Sequence, residues 1–332
     1  MTRRGAAGEV IWGVVTVART VPRPGAAAAG ASAPPPPPPP PPKRVVITGG
    51  SRGFGYALAR ECLAAGDRVV ICGRDAGRLA AALAALRADF GAAAAGGAAA
   101  DCSRPGDVRR LGELAEAALG GVDILVNGAG EVTAKKLLSD VDPEEIVRVV
   151  GSNVVGSLLG SRESVRLMLK QPAAERPVYH VFNCGFSKWG AKFTKSAVTH
   201  KATKTALTQL SKSLADELRE AGVTSIGVHN LSPGMMLTDL LLRDSTPAAR
   251  RFFNALAEEP ETVAAVLAPR VRSASGSGGG VDYLTPAGAA LRVLGSVPQI
   301  VGGGRFFDRE GRRVRAPGEE YQDNGVRVQL RR

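Results

Sequence analysis

The sequence predicts a single doubly wound parallel α/β sheet of about seven strands, with an extension after the sixth strand that carries a substrate segment. Three observations predict it. Short β-branched runs alternate with longer stretches whose apolar residues recur at helical spacing. The first such pair is joined by a glycine-rich turn, Thr48-Gly49-Gly50-Ser51-Arg52-Gly53-Phe54-Gly55. The alternation then continues to about residue 300, with no transmembrane run and no internal repeat.

Val45-Val46-Ile47 reads as the first strand. An Ala-rich helix with Ala57, Leu58 and Leu63 follows, and Gly66 stops it before Val69-Val70-Ile71. Glycine lets backbone bend tightly and approach a ligand without a Cβ in the way. A helix that begins near Gly53 aims unpaired N–H groups and its positive dipole end at an anion. A strand before the turn and a helix after it make this a Rossmann-type dinucleotide unit. Thr48, Gly49, Ser51, Arg52, Gly53, Phe54 and Gly55 are its candidate cofactor contacts.

Residues 75–90 carry a helical pattern through Leu79, Leu83 and Leu86. Residues 98–101 read as a third strand tipped by Asp101, residues 108–119 as a helix, and residues 123–126 as a strand that closes on Asn127-Gly128-Ala129-Gly130. Residues 143–170 read as one long helix, 178–183 as a strand, 197–221 as a helix, and 225–231 as a strand that ends at Ser232-Pro233-Gly234. Short helices are expected at 247–256 and 260–268, a Gly/Ser linker at 273–280, a last strand at 281–284 and an apolar helix at 291–300. Ligands bind beyond the carboxyl ends of strands in such sheets, so residues 235–285 are assigned to substrate.

Residues 1–42 are rich in Ala, Gly, Arg and Pro and end in nine consecutive prolines, Pro34 to Pro42, which form a stiff extended spacer. The apolar residues 10–18 are too few to span a bilayer. Arginine with almost no acid matches an organelle transit peptide, and low-complexity disorder is the other reading. The net charge of +12 gathers at the two ends, with Arg312, Arg313, Arg331 and Arg332 in the second cluster. A nucleic-acid groove is not expected here, and residues 301–332 read as a solvated, flexible basic tail. Cys62, Cys72, Cys102 and Cys184 are scattered without a CxxC pair or a histidine cluster. That argues against zinc and against a disulfide framework, and for a reducing compartment. His180, Cys184, His229 and Asn230 are expected to be structural.

With these pieces in order, the chain resembles the short-chain dehydrogenase/reductases over about residues 43–285. Thr48-Gly49, Gly53 and Gly55 are similar to the family's TGxxxGxG turn. Asp101, followed by Cys102, falls where a carboxylate contacts the adenine. Asn127-Gly128-Ala129-Gly130 is similar to NNAG with one Asn replaced. Asn153 stands where a structural Asn supports the proton relay. Pro233-Gly234 matches the turn after the sixth strand, and Thr238 the residue that bonds the nicotinamide carboxamide. An NAD enzyme carries a carboxylate at the end of the second strand for the ribose 2′-hydroxyl. Here the strand ends Cys72-Gly73-Arg74. Two guanidinium groups, Arg74 and Arg52, suit a 2′-phosphate instead. NADPH is the expected cofactor, with NADH as the alternative.

A narrower resemblance rests on residues 228–268, on Gly276 to Pro286 (GSGGGVDYLTP) and on Gly304 to Arg312 (GRFFDREGR). These are similar to the chlorophyll b reductases of plants and green algae, the non-yellow-colouring group. The resemblance implies hydride transfer from NADPH to the C7 formyl carbon of chlorophyll b or chlorophyllide b, giving 7-hydroxymethyl chlorophyll a. It also implies the chloroplast, at the stromal surface of the thylakoid. Peripheral membrane contact would run through residues 291–300 and the basic tail. Light-harvesting antenna proteins and related reductases are the implied partners, in homo- or hetero-oligomers. Met235, Met236, Leu240, Leu241, Leu242, Phe252 and Phe253 would suit a flat apolar macrocycle, or pack as amphipathic helices on the sheet.

In this family a Ser binds the carbonyl oxygen, a Tyr gives the proton, and a Lys four residues later lowers the Tyr pKa and holds the ribose. Tyr and Lys so spaced share one helix face. Ser187 and Lys204 stand at those positions, but the acid position holds His200. Histidine can act as a general acid, since its ordinary pKa is about 6.5 against roughly 10 for tyrosine. Its shorter ring would call for a bridging water. Lys204 and Lys201 would lower its pKa and leave it mostly neutral, a poor acid. Three readings stay open: a pigment reductase with His200 as acid, a reductase of another apolar carbonyl compound, and a cofactor-binding partner subunit with little turnover.

Overall fold

The structure, a computed structural model, describes residues 41–187, 190 and 196–329. The spacer and transit-like segment expected at residues 1–42 therefore lie almost wholly outside the described residues.

Seven parallel strands form the main sheet: β1 (Arg44–Thr48), β2 (Arg68–Gly73), β3 (Ala95–Ala99), β4 (Ile124–Asn127), β5 (Tyr179–Cys184), β6 (Ile226–Ser232) and β9 (Gly280–Asp282). Their spatial order is β3-β2-β1-β4-β5-β6-β9. Between β6 and β9 in the chain lie the short strands β7 (Met235–Met236) and β8 (Ala257–Glu258), which pair with each other, and helices α7 (Asp239–Leu242) and α8 (Pro247–Leu256). The order reverses between β1 and β4, which opens a crevice beyond their carboxyl ends. β4, β5 and β6 are buried along their whole length, as parallel strands covered on both faces are.

Helices α1 (Gly53–Ala64), α2 (Ala76–Phe90) and α9 (Pro260–Arg272) cover one face, packing Leu58, Leu83 and Leu267 on Ile47 and Ile71. Helices α3 (Pro105–Leu119), α5 (Gly156–Met168) and α6 (Val198–Glu220) cover the other, with Leu111, Leu167 and Leu218 on Val70 and Val181. Buried Asp67 joins β2 to α9 and β1. Its carboxylate takes Arg272 Nε at 2.7 Å and Nη2 at 3.0 Å, and the Lys43 N–H at 2.8 Å. Removing one partner of a buried pair leaves the other charge uncompensated. An Asp67→Ala variant is expected to lose about 3 kcal/mol of stability in urea titration, and an unchanged midpoint would deny the pair that role.

Several elements differ from the sequence reading. β3 begins at Ala95 rather than at residue 98, because Val69 to Gly73 pair with Ala95 to Ala99 and set its register. Asp101 therefore lies beyond the strand end, not at its tip. The long helix expected at 143–170 consists of α4 (Pro143–Val150), a π-helical turn (Gly151–Val155) and α5. Periodicity cannot register the single extra residue of a π turn, and Asn153 sits within it. The apolar stretch at 291–300 is split into α10 (Pro286–Gly295) and α11 (Val297–Gly302). Pro298, without an N–H, cannot continue the first helix but fits the first turn of the second.

The expectation of a solvated, flexible tail is also corrected. Residues 303–329 pack on the body. Phe307 is fully buried, and Asn254 Oδ1 accepts the N–H groups of Phe306 and Phe307 at 2.8 and 2.9 Å. Arg305 pairs with Glu258 at 2.6 Å, Arg313 with Glu259, and Arg327 with Glu261 at 2.7 Å. The acids that neutralise these arginines lie dozens of residues away, so a local charge count could not see them. His180 and His229 lie in the core as expected, with ring nitrogens 3.0 Å apart, and burial lowers both to about 4.

Candidate active site

The carboxyl ends of the strands open on one cavity of about 1190 Å³. At the end of β1 the glycine turn forms one wall. Gly49 has φ +71°, and a Cβ there would lie 2.8 Å from the Ala129 Cα, so no other residue fits. Helix α1 starts at Gly53, and the residue before it, Arg52, gives it no side-chain cap. Its first N–H groups are thus not capped from within the turn. Ser51, Arg52, Phe54 and Gly55 join Gly49 and Gly53 in the wall.

Arg74, Asp101 and Cys102 line the side nearest β2 and β3; Gly128, Ala129 and Gly130 follow from β4; Pro233, Gly234 and Thr238 follow from β6. Asp101 Oδ1 accepts the Ser103 N–H at 3.0 Å and its hydroxyl at 2.7 Å, which orients the carboxylate. The Cys72 and Cys102 thiols lie 3.8 Å apart as free cysteines.

The structure does not bring Thr48, Asn127 or Asn153 to the cavity wall; Thr48 and Asn153 hold residues that form it, and Asn127 ties the strands and helix behind it. Thr48 Oγ1 accepts the N–H groups of Gly128 and Ala129, each at 3.1 Å. Asn127 Nδ2 donates to Asn183 Oδ1 at 2.8 Å and Ser161 Oγ at 3.0 Å, tying β4 to β5 and α5. Asn153 clamps Glu131 by both backbone groups, at 2.7 and 2.9 Å, and donates to Thr203 Oγ1 at 3.0 Å. Thr203 immediately precedes Lys204, so this clamp links the β4 loop to the helix that bears the lysine.

The three candidate catalytic side chains face the same cavity. Ser187 follows β5; its N–H donates to Ser232 Oγ at 3.0 Å, and its own Oγ accepts the Gly190 N–H at 2.9 Å. Lys204 Nζ donates to the Cys184 carbonyl at 2.7 Å, and burial lowers its pKa. His200 lies one turn earlier on α6, edge-on to Phe186 with ring centres 5.5 Å apart. Its Nδ1 is buried and has no hydrogen-bond partner among the described residues. Burial first, then Lys204, lowers its pKa to about 4. The imidazole is therefore neutral at neutral pH. The sequence reading laid this shift to the lysines, whereas desolvation is the larger cause.

The opposite wall is apolar. Met235, Met236, Leu240, Leu241, Phe252 and Phe253 line it. Leu242 does not; it packs beneath with Leu237 and Phe307. The sequence reading missed the acids that hold the two cofactor arginines. Arg74 pairs with Glu131, which also takes Arg148 at 2.9 Å, and Arg52 pairs with Asp239. These partners lie 57 and 187 residues from their arginines, so no local spacing could have signalled them. Gln329, on the segment read as a free tail, also lines the cavity.

A parallel sheet with a side-chain-poor turn and an opening helix N-terminus at one cavity defines a dinucleotide-binding fold, and Ser187, His200 and Lys204 face that same cavity. The chain belongs to the short chain dehydrogenase family, which it matches over residues 43–247.

Among its relatives is the probable chlorophyll(ide) b reductase NYC1, chloroplastic, of Oryza sativa subsp. japonica. The two are 39% identical over 286 residues, covering 82% of this chain and 55% of the relative. The chlorophyll(ide) b reductase NOL, chloroplastic, of Arabidopsis thaliana is 39% identical over 235 residues, covering 70% and 66%. The chain thus spans less than two thirds of the length of either. A short chain dehydrogenase from Burkholderia cenocepacia, solved in complex with NADP, superposes with a TM-score of 0.62 at 30% identity, covering 75% of this chain and 98% of that one. A 3-ketoacyl-(acyl-carrier-protein) reductase from Brucella melitensis, complexed with NADH, gives 0.60 at 29% identity, covering 72% and 95%.

Proposed function

We propose that the protein reduces the C7 formyl group of chlorophyll b or chlorophyllide b to the hydroxymethyl group, with NADPH as reductant. One observation carries this reading: a single cavity of about 1190 Å³ has the glycine cradle at one end and the apolar wall at the other. That volume exceeds the roughly 300–1,000 Å³ of a pocket for one drug-sized ligand. Such a size supports a dinucleotide beside a large apolar carbonyl compound. The two chloroplastic relatives support the pigment as that compound, and the chloroplast as its place.

Bound NADPH supplies the hydride. The chain's own groups do the rest. The Ser187 hydroxyl donates to the formyl oxygen, and Lys204 is placed to hold ribose hydroxyls and add positive potential as charge develops on that oxygen. His200, directly or through a water, returns a proton to the alkoxide. Asn153 keeps this group in register through Glu131 and Thr203.

The buried, neutral His200 favours a second reading, a nucleotide-binding partner subunit with little turnover at neutral pH. Purified protein given NADPH and chlorophyll b separates the two: appearance of the hydroxymethyl product supports the reductase, while nucleotide binding without product supports the subunit. A panel of other apolar aldehydes tests the substrate class.

For the cofactor, Arg52→Ala and Arg74→Ala are each expected to weaken NADPH about 10- to 100-fold, with NADH little changed. Equal losses for both nucleotides would remove the arginines from the 2′-phosphate.

The proposed organisation keeps residues 43–300 as the catalytic unit and residues 235–285 as its substrate segment. No described helix is long and apolar enough to cross a membrane. Leu291, Leu294, Val297 and Val301 on α10 and α11 are exposed, which supports peripheral contact with a thylakoid surface. Antenna proteins and related reductases remain the proposed protein partners.

A further inference from the structure

Residues 319–329 lie against the nucleotide end of the cavity. Tyr321 and Arg327 pair in antiparallel register. Gln322 N–H donates to the Val326 carbonyl at 2.8 Å, and Val328 N–H to the Glu320 carbonyl at 2.9 Å. This is a small hairpin turning at Asn324-Gly325, a pair suited to tight hairpin turns.

Hydrogen bonds at three places fasten the hairpin on the proposed nucleotide site or its border. At the turn, Asn324 Nδ2 donates to Asp239 Oδ1 at 2.7 Å, while the other oxygen of Asp239 holds Arg52. Along the second arm, Arg327 and Gln329 share the Glu261 carboxylate, at 2.7 and 2.9 Å. At the end, the Gln329 carboxamide sits on the glycine turn itself. Its Oε1 accepts the Gly53 N–H at 2.7 Å, and its Nε2 donates to the Gly53 carbonyl at 3.2 Å.

The Gly53 N–H is the first N–H of α1, the kind of group that a phosphate oxygen takes in a glycine-turn site. Gln329 supplies a neutral oxygen in its place. Arg52, one of the two arginines assigned to the 2′-phosphate, is meanwhile tied to Asp239, the carboxylate that also holds the strap through Asn324.

We propose that this hairpin is an autoinhibitory strap: Gln329 occupies a pyrophosphate position at the head of α1, so nucleotide binding must displace it. The inference rests on the dinucleotide reading of the cavity. The strap and the nucleotide compete for the same N–H group, so the apparent affinity is the intrinsic affinity reduced by the fraction of chains whose strap is open. The strap's contacts with the body are mainly polar, with Val326 adding one apolar contact, and the hairpin itself is short. Such a segment belongs to the low-stability end of a fold, where opening is easiest.

The test compares NADPH affinity, by fluorescence titration, in the full chain, in Gln329→Ala and in Asn324→Ala. The second variant loosens the hairpin without touching Gly53. Both are expected to bind NADPH about fivefold more tightly than the parent, the equivalent of one hydrogen bond no longer in competition. Hydrogen exchange provides a readout on the unaltered chain: NADPH is expected to speed exchange of the Gln322 and Val328 amides. Unchanged or weaker NADPH affinity in both variants, or slower exchange of these amides on NADPH addition, would overturn the strap while leaving the nucleotide site standing. No NADPH binding by any of the three chains would overturn the nucleotide reading, and the strap with it.

Discussion

A His200→Tyr variant is expected to reduce the formyl substrate at least about 100-fold faster than the parent at pH 7, the scale of a well-placed general acid. Burial is the main cause. The His200 pKa is lowered to about 4, so the proton that an imidazolium could give is scarce at neutral pH. Three pH units above that value, about one molecule in a thousand is protonated. The parent's kcat/KM for reduction should therefore rise as pH falls, by about tenfold per unit between pH 7 and pH 5. A tyrosine, with an ordinary pKa of about 10, keeps its proton over that range, so the variant's profile should be nearly flat.

The same shift bounds the assay. The unfolded chain takes up this proton near pH 6.5 and the folded chain only near pH 4. Stability from this group is thus fully present above pH 6.5 and declines as pH falls toward 4. Unfolding midpoints measured alongside the rates separate lost catalysis from lost fold. Equal rates in the two chains, with no pH dependence in the parent, would remove His200 from proton transfer. A silent parent beside an active variant would assign the natural chain to the partner-subunit reading.

The second large effect is expected at the glycine turn. A Cβ on Gly55 would overlap the Gly49 carbonyl oxygen and lie 2.9 Å from the Gly49 carbon and 3.1 Å from the Gly50 Cα. All three are backbone atoms, and the Gly49 backbone is itself wedged against Ala129, so none can move aside as a side chain would. Gly55→Ala is expected to push the turn out of shape and weaken NADPH binding by at least about 100-fold, with a measurable loss of thermal stability. Gly295, near the end of α10, is the control. A Cβ there meets nothing within 4 Å, so Gly295→Ala should leave both quantities where they were. Parent-like NADPH affinity in Gly55→Ala would mean that the turn does not cradle the nucleotide.

Local pattern by itself determined the seven-stranded α/β architecture and the place of the nucleotide turn. Strand runs, helix periodicity and a glycine cluster are each encoded within a few consecutive residues. The motif residues were legible for the same reason, and eighteen of the sequence candidates, from Gly49 to Thr238, line one cavity. The lysine–histidine spacing on α6 also survived, because four residues along a helix always share a face.

Only the tertiary structure decided what those side chains meet. Arg52 and Arg74 looked like free cations, and distant acids hold both. The arginine-rich end looked solvated, and Glu258, Glu259 and Glu261 draw it onto the body, carrying Gln329 to Gly53. His200 could be recognised as the substituted acid, but its protonation state follows from how deeply the packed chain buries it. Burial and long-range charge pairing depend on residues tens to hundreds of positions apart, and no local spacing carries them.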